Sequence, residues 1–418
     1  MKLKNYYGWL ILAVGFFFIL YIGTFFSYGW TAFINPMLGT FGWTMAQISV
    51  GASLRNAESG VFNPVWGAII DRTSPRKLML IGVIITSVGI FLLYRTTGLV
   101  MFYTSFFILG LGSSLTQMLP NVLVSKWFKR DFGKANGILS LASGLGGVVL
   151  PLVVMIIDSQ GWQTTLLYCA IGWTIIGIPL AFTYKNPQLD PELVKSPGAN
   201  EKITRTGALG VSVRDALKTR AFWHINVTTL LAYFVCTIQL TYVIPYLTGI
   251  GISAASASMA VLYYSVISLG GRLVFGCLAD KYRSSYLTAI SLGLIGAGTF
   301  IFAFITKQSS FSMILLFAVI YGLGLSGLTL LRLTILREYF GTGNFGSLFG
   351  LNSVFVTIAQ VVSPIAVGIL VSGHVSYRPI WLASAGIALL GVITILTMPS
   401  SSQSGYKGNS PGAQVTSG

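Results

Sequence analysis

The sequence predicts an all-α membrane protein of twelve transmembrane helices arranged as two pseudo-symmetric six-helix bundles. Three observations carry that prediction. Hydrophobic residues make up 54% of the 418-residue chain and charged residues 9%, where a soluble domain carries about a quarter charged. Apolar stretches long enough to cross the hydrocarbon core of a bilayer recur twelve times, and helices satisfy their own backbone hydrogen bonds in lipid. Landmarks of the first half also return in the second at nearly one offset.

The first span, 9–34, follows Lys2 and Lys4. It far exceeds a signal-peptide core and lacks a small-residue cleavage site, so it is expected to be retained as a helix. Spans at 44–70, 78–94, 99–124, 135–157 and 162–184 complete the first bundle, with Pro120 and Pro151 marking bends. Lys185–Arg220 is the one long polar segment between spans; Pro187, Pro191, Pro197 and mixed charges make it a linker. Spans at 221–248, 254–279, 286–306, 310–336, 347–371 and 379–398 form the second bundle, bent at Pro245 and Pro364. The Ser/Gly-rich segment Pro399–Gly418 reads as a disordered tail. The expected organisation is therefore 1–184, linker 185–220, 221–398 and tail 399–418.

The net charge of +16 is a signal of topology rather than of nucleic-acid binding. Of the 26 basic residues, Arg55, Arg272 and Arg332 fall inside spans, while Arg95, Lys307 and Arg378 fall in one set of alternate loops. The remaining 20 lie in the other loops and the termini, which the positive-inside rule assigns to the cytoplasm. An even number of spans then leaves both termini cytoplasmic. Cys169, Cys236 and Cys277 all lie within spans, so no disulfide framework is expected.

The repeat is explicit. Gly67-Ala-Ile-Ile-Asp71-Arg72 recurs as Gly276-Cys-Leu-Ala-Asp280-Lys281, a shift of 209 residues. Gly110-Leu-Gly112 recurs as Gly322-Leu-Gly324, a shift of 212. Phe132-Gly133-x-x-x-Gly137 recurs as Phe345-Gly346-x-x-x-Gly350, and Pro151 as Pro364, both at 213. Four matches in order imply a duplicated six-helix unit in parallel orientation. Transporters built so hold substrate near the midplane, between halves that rock about it.

The loop Gly67-Ala-Ile-Ile-Asp71-Arg72-Thr-Ser-Pro-Arg76-Lys77 resembles the signature joining the second and third helices of the major facilitator superfamily. Glycine lets two helices approach closely. Asp71, at a helix end, can meet a basic group or helix terminus of the other half in one state of the transport cycle, and Arg72, Arg76 and Lys77 hold the loop inside. Tyr28-Gly-Trp30-Thr31-Ala-Phe-Ile-Asn35-Pro36 is similar to the first-helix end of oxalate:formate antiporter-like carriers. Lys126-Trp-Phe-Lys129-Arg130-x-x-Gly-x-Ala135-Asn136-Gly137-Ile, with glycine-rich Gly144–Pro151, resembles a region shared by those carriers and the monocarboxylate porters. The resemblance implies that Arg272, eight residues before Asp280, binds a carboxylate.

Two departures qualify that implication. The oxalate carriers pair this arginine with a lysine in the eleventh helix, and Phe345–Leu370 contains no Lys or Arg, which favours a monocarboxylate. The monocarboxylate porters place an aspartate one turn before the arginine and a lysine in the first helix. Ser268 stands at the former position and the first span has no lysine, which leaves proton symport and anion exchange both open.

From the residues themselves, Arg272 lies in the apolar run Ser253–Ala279 with no acid beside it. An arginine at a bilayer centre is unfavourable by roughly 2.5–3.5 kcal/mol on translocon-type scales, so it is expected to face an aqueous cavity or a partner. Eight residues place it roughly 12 Å inside the boundary at about 1.5 Å per residue. A guanidinium binds a carboxylate bidentately; the plainer alternative is a side chain that snorkels or caps a helix end, and Arg332 near its span end is expected to snorkel or to help an inner gate. Tyr28, Gln117, Asn121, Tyr321 and Asn352 are further substrate-binding candidates, with Tyr21, Tyr233 and Tyr242 at similar depth; each could instead make a helix–helix hydrogen bond. Arg55 and Glu58, three apart on one helix face, can neutralise one another. Glu58, the one acid inside a span, could alternatively couple a proton, with burial favouring its protonation and Arg55 opposing it.

No enzyme constellation is present. His224 and His374 are far apart, and the sequence has no GxxxxGK[ST] loop, so no metal, cofactor or direct use of ATP is expected. The function expected is a monomeric, multi-pass secondary transporter in a bacterial inner membrane. Its partners would be the bilayer, a small organic anion of the lactate, pyruvate or formate class, and a co-transported proton. Anion exchange is the alternative, followed by a proton-coupled drug or cation antiporter and a transporter-like sensor.

Overall fold

The computed structural model describes residues 2–128, 131–185, 211–252, 254–308, 311–372 and 376–399; the side chains of Tyr28 and Arg55, among others, lie outside the described residues. The expected linker and tail also lie outside them, apart from the short stretches that flank each. Among the described residues all regular structure is helical.

In the first half the helices are α1 (Lys2–Ile22), α2 (Trp30–Phe41), α3 (Met45–Arg72), α4 (Pro75–Tyr94), α5 (Leu99–Trp127), α6 (Phe132–Gln160) and α7 (Trp162–Phe182). After the short α8 (Val213–Leu217) come α9 (Arg220–Gly249), α10 (Ala254–Ala279), α11 (Ser284–Phe302), α12 (Phe311–Phe340), α13 (Phe345–Ser372) and α14 (Tyr377–Leu396). Among the described residues ten helices are long and apolar enough to cross a membrane. The more polar α3 and the glycine-rich α6, of 28 and 29 residues, match them in length and complete the twelve-span architecture. The first span is the one that is not a single α-helix. A π-helical segment, Gly23–Tyr28, joins α1 to α2, and the Gly29 amide closes it by donating to Thr24 O at 2.8 Å. A Cβ at Gly29 would run into the Thr24 carbonyl, which explains the glycine. The π turn ends at Tyr28, where the Tyr28-Gly-Trp30 stretch begins, and π turns inside helices are frequent at functional sites.

The packing repeats with the sequence. In the first half α4 lies on α5 and α7, α5 on α3, and α1 on α6; in the second, α11 lies on α12 and α14, α12 on α10, and α9 on α13. The duplicated Gly-x-Gly explains part of this. Gly112 admits Thr86 of α4 and Gly324 admits Ile295 of α11, while their partners Gly110 and Gly322 face Glu58 on α3 and Tyr264 on α10. Each glycine pair thus lets one helix touch two neighbours at backbone distance. Between the halves, α3 packs on α13 and α6 on α10. Both contacts are tightest at the end bearing the Asp71 and Asp280 loops, here termed the basic end.

Candidate functional site

The interface between the halves is built on stripes of small residues. Along α6, Gly133, Gly137, Ser140 and Gly144 recur at i, i+4, i+7 and i+11, one helix face. The shift of 213 reproduces the stripe on α13 as Gly346, Gly350, Ser353 and Thr357. A Cβ at Gly133 would meet Gly276 O of α10, and one at Gly67 of α3 would meet Gly346 O of α13.

At the basic end each contact is closed by a carboxylate on a helix N-terminus. Asp71 accepts from the Gly346 amide at 3.2 Å and the Ser347 amide at 2.9 Å, and from Ser347 Oγ at 3.0 Å. Asp280 accepts from the Gly133 amide at 2.6 Å and the Lys134 amide at 3.0 Å. These are the first free N–H groups of α13 and α6, where the helix dipole adds its attraction. The two clamps differ in one respect. Lys126 of α5 pairs with Asp71 at 3.3 Å, both side chains nearly inaccessible. In the second half Arg337 of α12, one residue before the position that the shift of 212 relates to Lys126, donates to Phe128 O, lies over the Phe132 ring at 4.2 Å and interacts with the Asp280 charge. Burial pushes the Asp280 carboxyl above its ordinary value, while the two amide bonds pull against that shift. Arg72 and Arg76 are exposed beside the clamp and take no part in it.

Arg272 lies farther in along the same α6–α10 seam. It is 9% exposed, and of the two expected surroundings, an aqueous cavity or a partner, it meets a partner in this conformation. Nη1 donates to the Ser140 carbonyl and, at 2.9 Å, to Ser143 Oγ, both on α6. Gly144 makes room for it: a Cβ there would lie 3.2 Å from Nη1. Ser143 itself is exposed, so the bond lies at an accessible edge. One turn before the arginine, Ser268 is buried, and its hydroxyl has no hydrogen-bond partner. The shift of 209 that relates Asp71 to Asp280 puts Asn63 where the second half has Arg272, so the site is one-sided.

The other candidates separate. Gln117 and Asn121 are half-buried on α5, with Asn121 Nδ2 donating to Gln117 O at 2.7 Å. Asn352 is fully buried and donates to Asn226 Oδ1 at 2.8 Å and Thr229 Oγ1 at 3.2 Å, within the second half. Tyr321 is packed between Tyr264 and Phe317 of the second core. Neither Asn352 nor Tyr321 is open to a ligand in this conformation. Sequence depth places them level with a site but leaves their direction around the helix unset. Arg332 does not snorkel. Its guanidinium lies 4.7 Å from the Phe349 ring and 5.7 Å from that of Tyr233, and Nη2 donates to Ser353 Oγ at 3.3 Å. Glu58 is 4% exposed and presses on Gly110. Sequence reasoning missed Ser140 and Ser143. The α6 stripe ending in the glycine-rich segment was the signal that could have found them.

Among the described residues no cluster of three metal-ligating side chains occurs, and all three cysteines are free.

Known proteins agree with this architecture. An uncharacterized MFS-type transporter of Bacillus subtilis (strain 168), YcxA, is 25% identical, the match covering 86% of this chain and 88% of the relative. Monocarboxylate transporter 12 of Rattus norvegicus is 24% identical, covering 78% of this chain and 72% of that protein. The solved structure of the proton:xylose symporter XylE bound to 6-bromo-6-deoxy-D-glucose has a TM-score of 0.72. It covers 95% of this chain and 97% of that one at 14% identity, a likeness of fold alone. The family pattern matches residues 17–251 and again 227–416, nearly the whole chain, so this twelve-helix membrane transporter belongs to the Major Facilitator Superfamily.

Proposed function

We propose that the chain is a secondary active transporter of small organic monocarboxylates of the lactate, pyruvate or formate class, coupled to a proton and opening alternately at its two ends. The observation that carries this reading is Arg272, a guanidinium deep within α10 that bridges to neutral acceptors on α6 at the seam between the halves. A carboxylate offers that group a bidentate, charge-assisted pair, about twice as strong as bonds to neutral oxygens. Arginine keeps its charge whatever the polarity around it. The name of the rat relative, monocarboxylate transporter 12, supports the same substrate class.

In this reading Glu58 carries the proton, the basic end and both termini face the cytoplasm of a bacterial inner membrane, and the working unit is a monomer. Alternating access follows from the clamps. Each joins the halves at one end only, so releasing both opens the basic end. The test is uptake of labelled lactate, pyruvate and formate into proteoliposomes with and without an inward pH gradient. Arg272→Ala is expected to abolish uptake and Arg272→Lys to reduce it at least tenfold, because a point charge lacks the fork geometry. Unchanged uptake by a folded Arg272→Ala protein would refute the site. Anion exchange is the second reading, favoured by Ser268 standing one turn from Arg272 in place of an acid; counterflow that ignores the pH gradient and survives Glu58→Gln would select it.

A further inference from the structure

We infer that Ser143 is a positioning residue for Arg272, and that a bound carboxylate and helix α6 compete for the same edge of its guanidinium. The inference rests on the carboxylate reading above and adds the step that links binding to opening.

Three features on the α6–α10 seam lead to it. Arg272 Nη1 is shared between the Ser140 carbonyl and the Ser143 hydroxyl, so one edge of the second half's guanidinium is held by the first half. Ser143 Oγ also donates to Ser140 O at 2.8 Å. That bond orients its lone pairs toward the guanidinium and makes the pair of acceptors one unit. Ser143 is exposed while Arg272 behind it is buried, so a solute reaches the hydroxyl first and displaces it from an accessible side. Gly144 lets Leu269 and the guanidinium of α10 lie close against α6, and the buried Ser268 hydroxyl, one turn before Arg272, has no hydrogen-bond partner and is a further donor.

A small anion that takes the Nη1 edge removes the bonds that tie α10 to α6 at this level. Among the described residues the glycine contacts and the Asp280 clamp still join the two helices. A ligand shifts a conformational equilibrium only through its differential affinity for the two states. Here the difference has a source: in the closed state the carboxylate must displace Ser143, and in the open state it need not.

The test uses full-length protein in lipid nanodiscs with Cys277→Ser, spin-labelled at Asp131→Cys and Lys281→Cys, two exposed positions at the basic ends of α6 and α10. Without ligand the wild-type background is expected to show a short distance, which lactate lengthens. Ser143→Ala is expected to show part of the long-distance population without ligand, and to lower the half-saturating lactate concentration about tenfold, the size of one hydrogen bond to a charged group. Ser143→Thr keeps the hydroxyl and is expected to restore both values, which separates positioning from mere packing. Lactate binding, followed by tryptophan fluorescence, that leaves distances and half-saturation the same in Ser143→Ala and wild type overturns the competition alone. Failure of lactate, pyruvate and formate to bind either protein overturns the carboxylate reading and the competition with it.

Discussion

Asp71 and Lys126 form the most thoroughly buried ion pair described, with side-chain exposures of 4% and 2%, and removing either leaves the other without its opposite charge. Such a loss costs about 3–5 kcal/mol, whereas replacing both partners together is often neutral. Asp71→Asn is therefore expected to lower the thermal unfolding midpoint in detergent sharply, and Asp71→Asn with Lys126→Met to recover most of it. Equal losses in the single and double variants would mean that the amide bonds to α13, not the pair, dominate. At this scale the sequence was partly legible. A charge inside an apolar run, as at Arg272, announces itself because lipid makes it costly, and Asp71 announces itself through a motif. Ser140 and Ser143 do not, since a serine is unremarkable in a glycine-rich helix until the facing helix is known. Tyr321 and Asn352 misled for the complementary reason. Their depth follows from counting residues, but their direction depends on a helix rotation that near-uniform hydrophobicity leaves unspecified.

Helices α5 and α12 show how a two-glycine motif divides its work between neighbours. Gly112 and Gly324 admit α4 and α11, while Gly110 and Gly322 admit α3 and α10. A methyl at Gly110 would collide with the Glu58 carboxylate, and one at Gly322 with the Tyr264 backbone. Both alanine variants are expected to lose about 1–3 kcal/mol through overpacking. Under the proton-coupled reading, Gly110→Ala should in addition depress gradient-driven uptake more than lactate counterflow, because it moves the acid; Gly322→Ala should lower both in proportion. Parallel losses in the two variants would detach Glu58 from coupling. The long helices were readable, because roughly 20 apolar residues in a row have few other uses, whereas α8 lies inside the segment read as linker. The π turn at Gly23–Tyr28 was not, since a five-residue hydrogen-bond register leaves no hydrophobic period to detect.

Across the whole molecule the duplication sets the mechanics. The shift of 213 that carries Gly133 to Gly346 also carries Ser140 to Ser353, and the interface therefore has two equivalent arms. They have diverged in chemistry: one arm holds Arg272 where the other holds Asn63, and Lys126 hydrogen-bonds Asp71 while Arg337, whose charge acts on Asp280, donates to Phe128 O. Lys126 and Asp71 belong to the same half, so Asp71 leaves α13 with its countercharge still attached. Asp280 likewise has a basic group of its own half, Arg337 of α12, acting on it, but accepts two hydrogen bonds from α6 where Asp71 accepts three from α13. With one hydrogen bond fewer, the α6 clamp is expected to let go before the α13 clamp. Amide hydrogen exchange reads this order: Gly133 is expected to exchange faster than Gly346, and the reverse ranking would place the first breach at α13. Under the alternating-access reading, a twofold-related scaffold with unlike fasteners would release in a preferred order, because a tandem duplication gains asymmetry once its copies are free to differ.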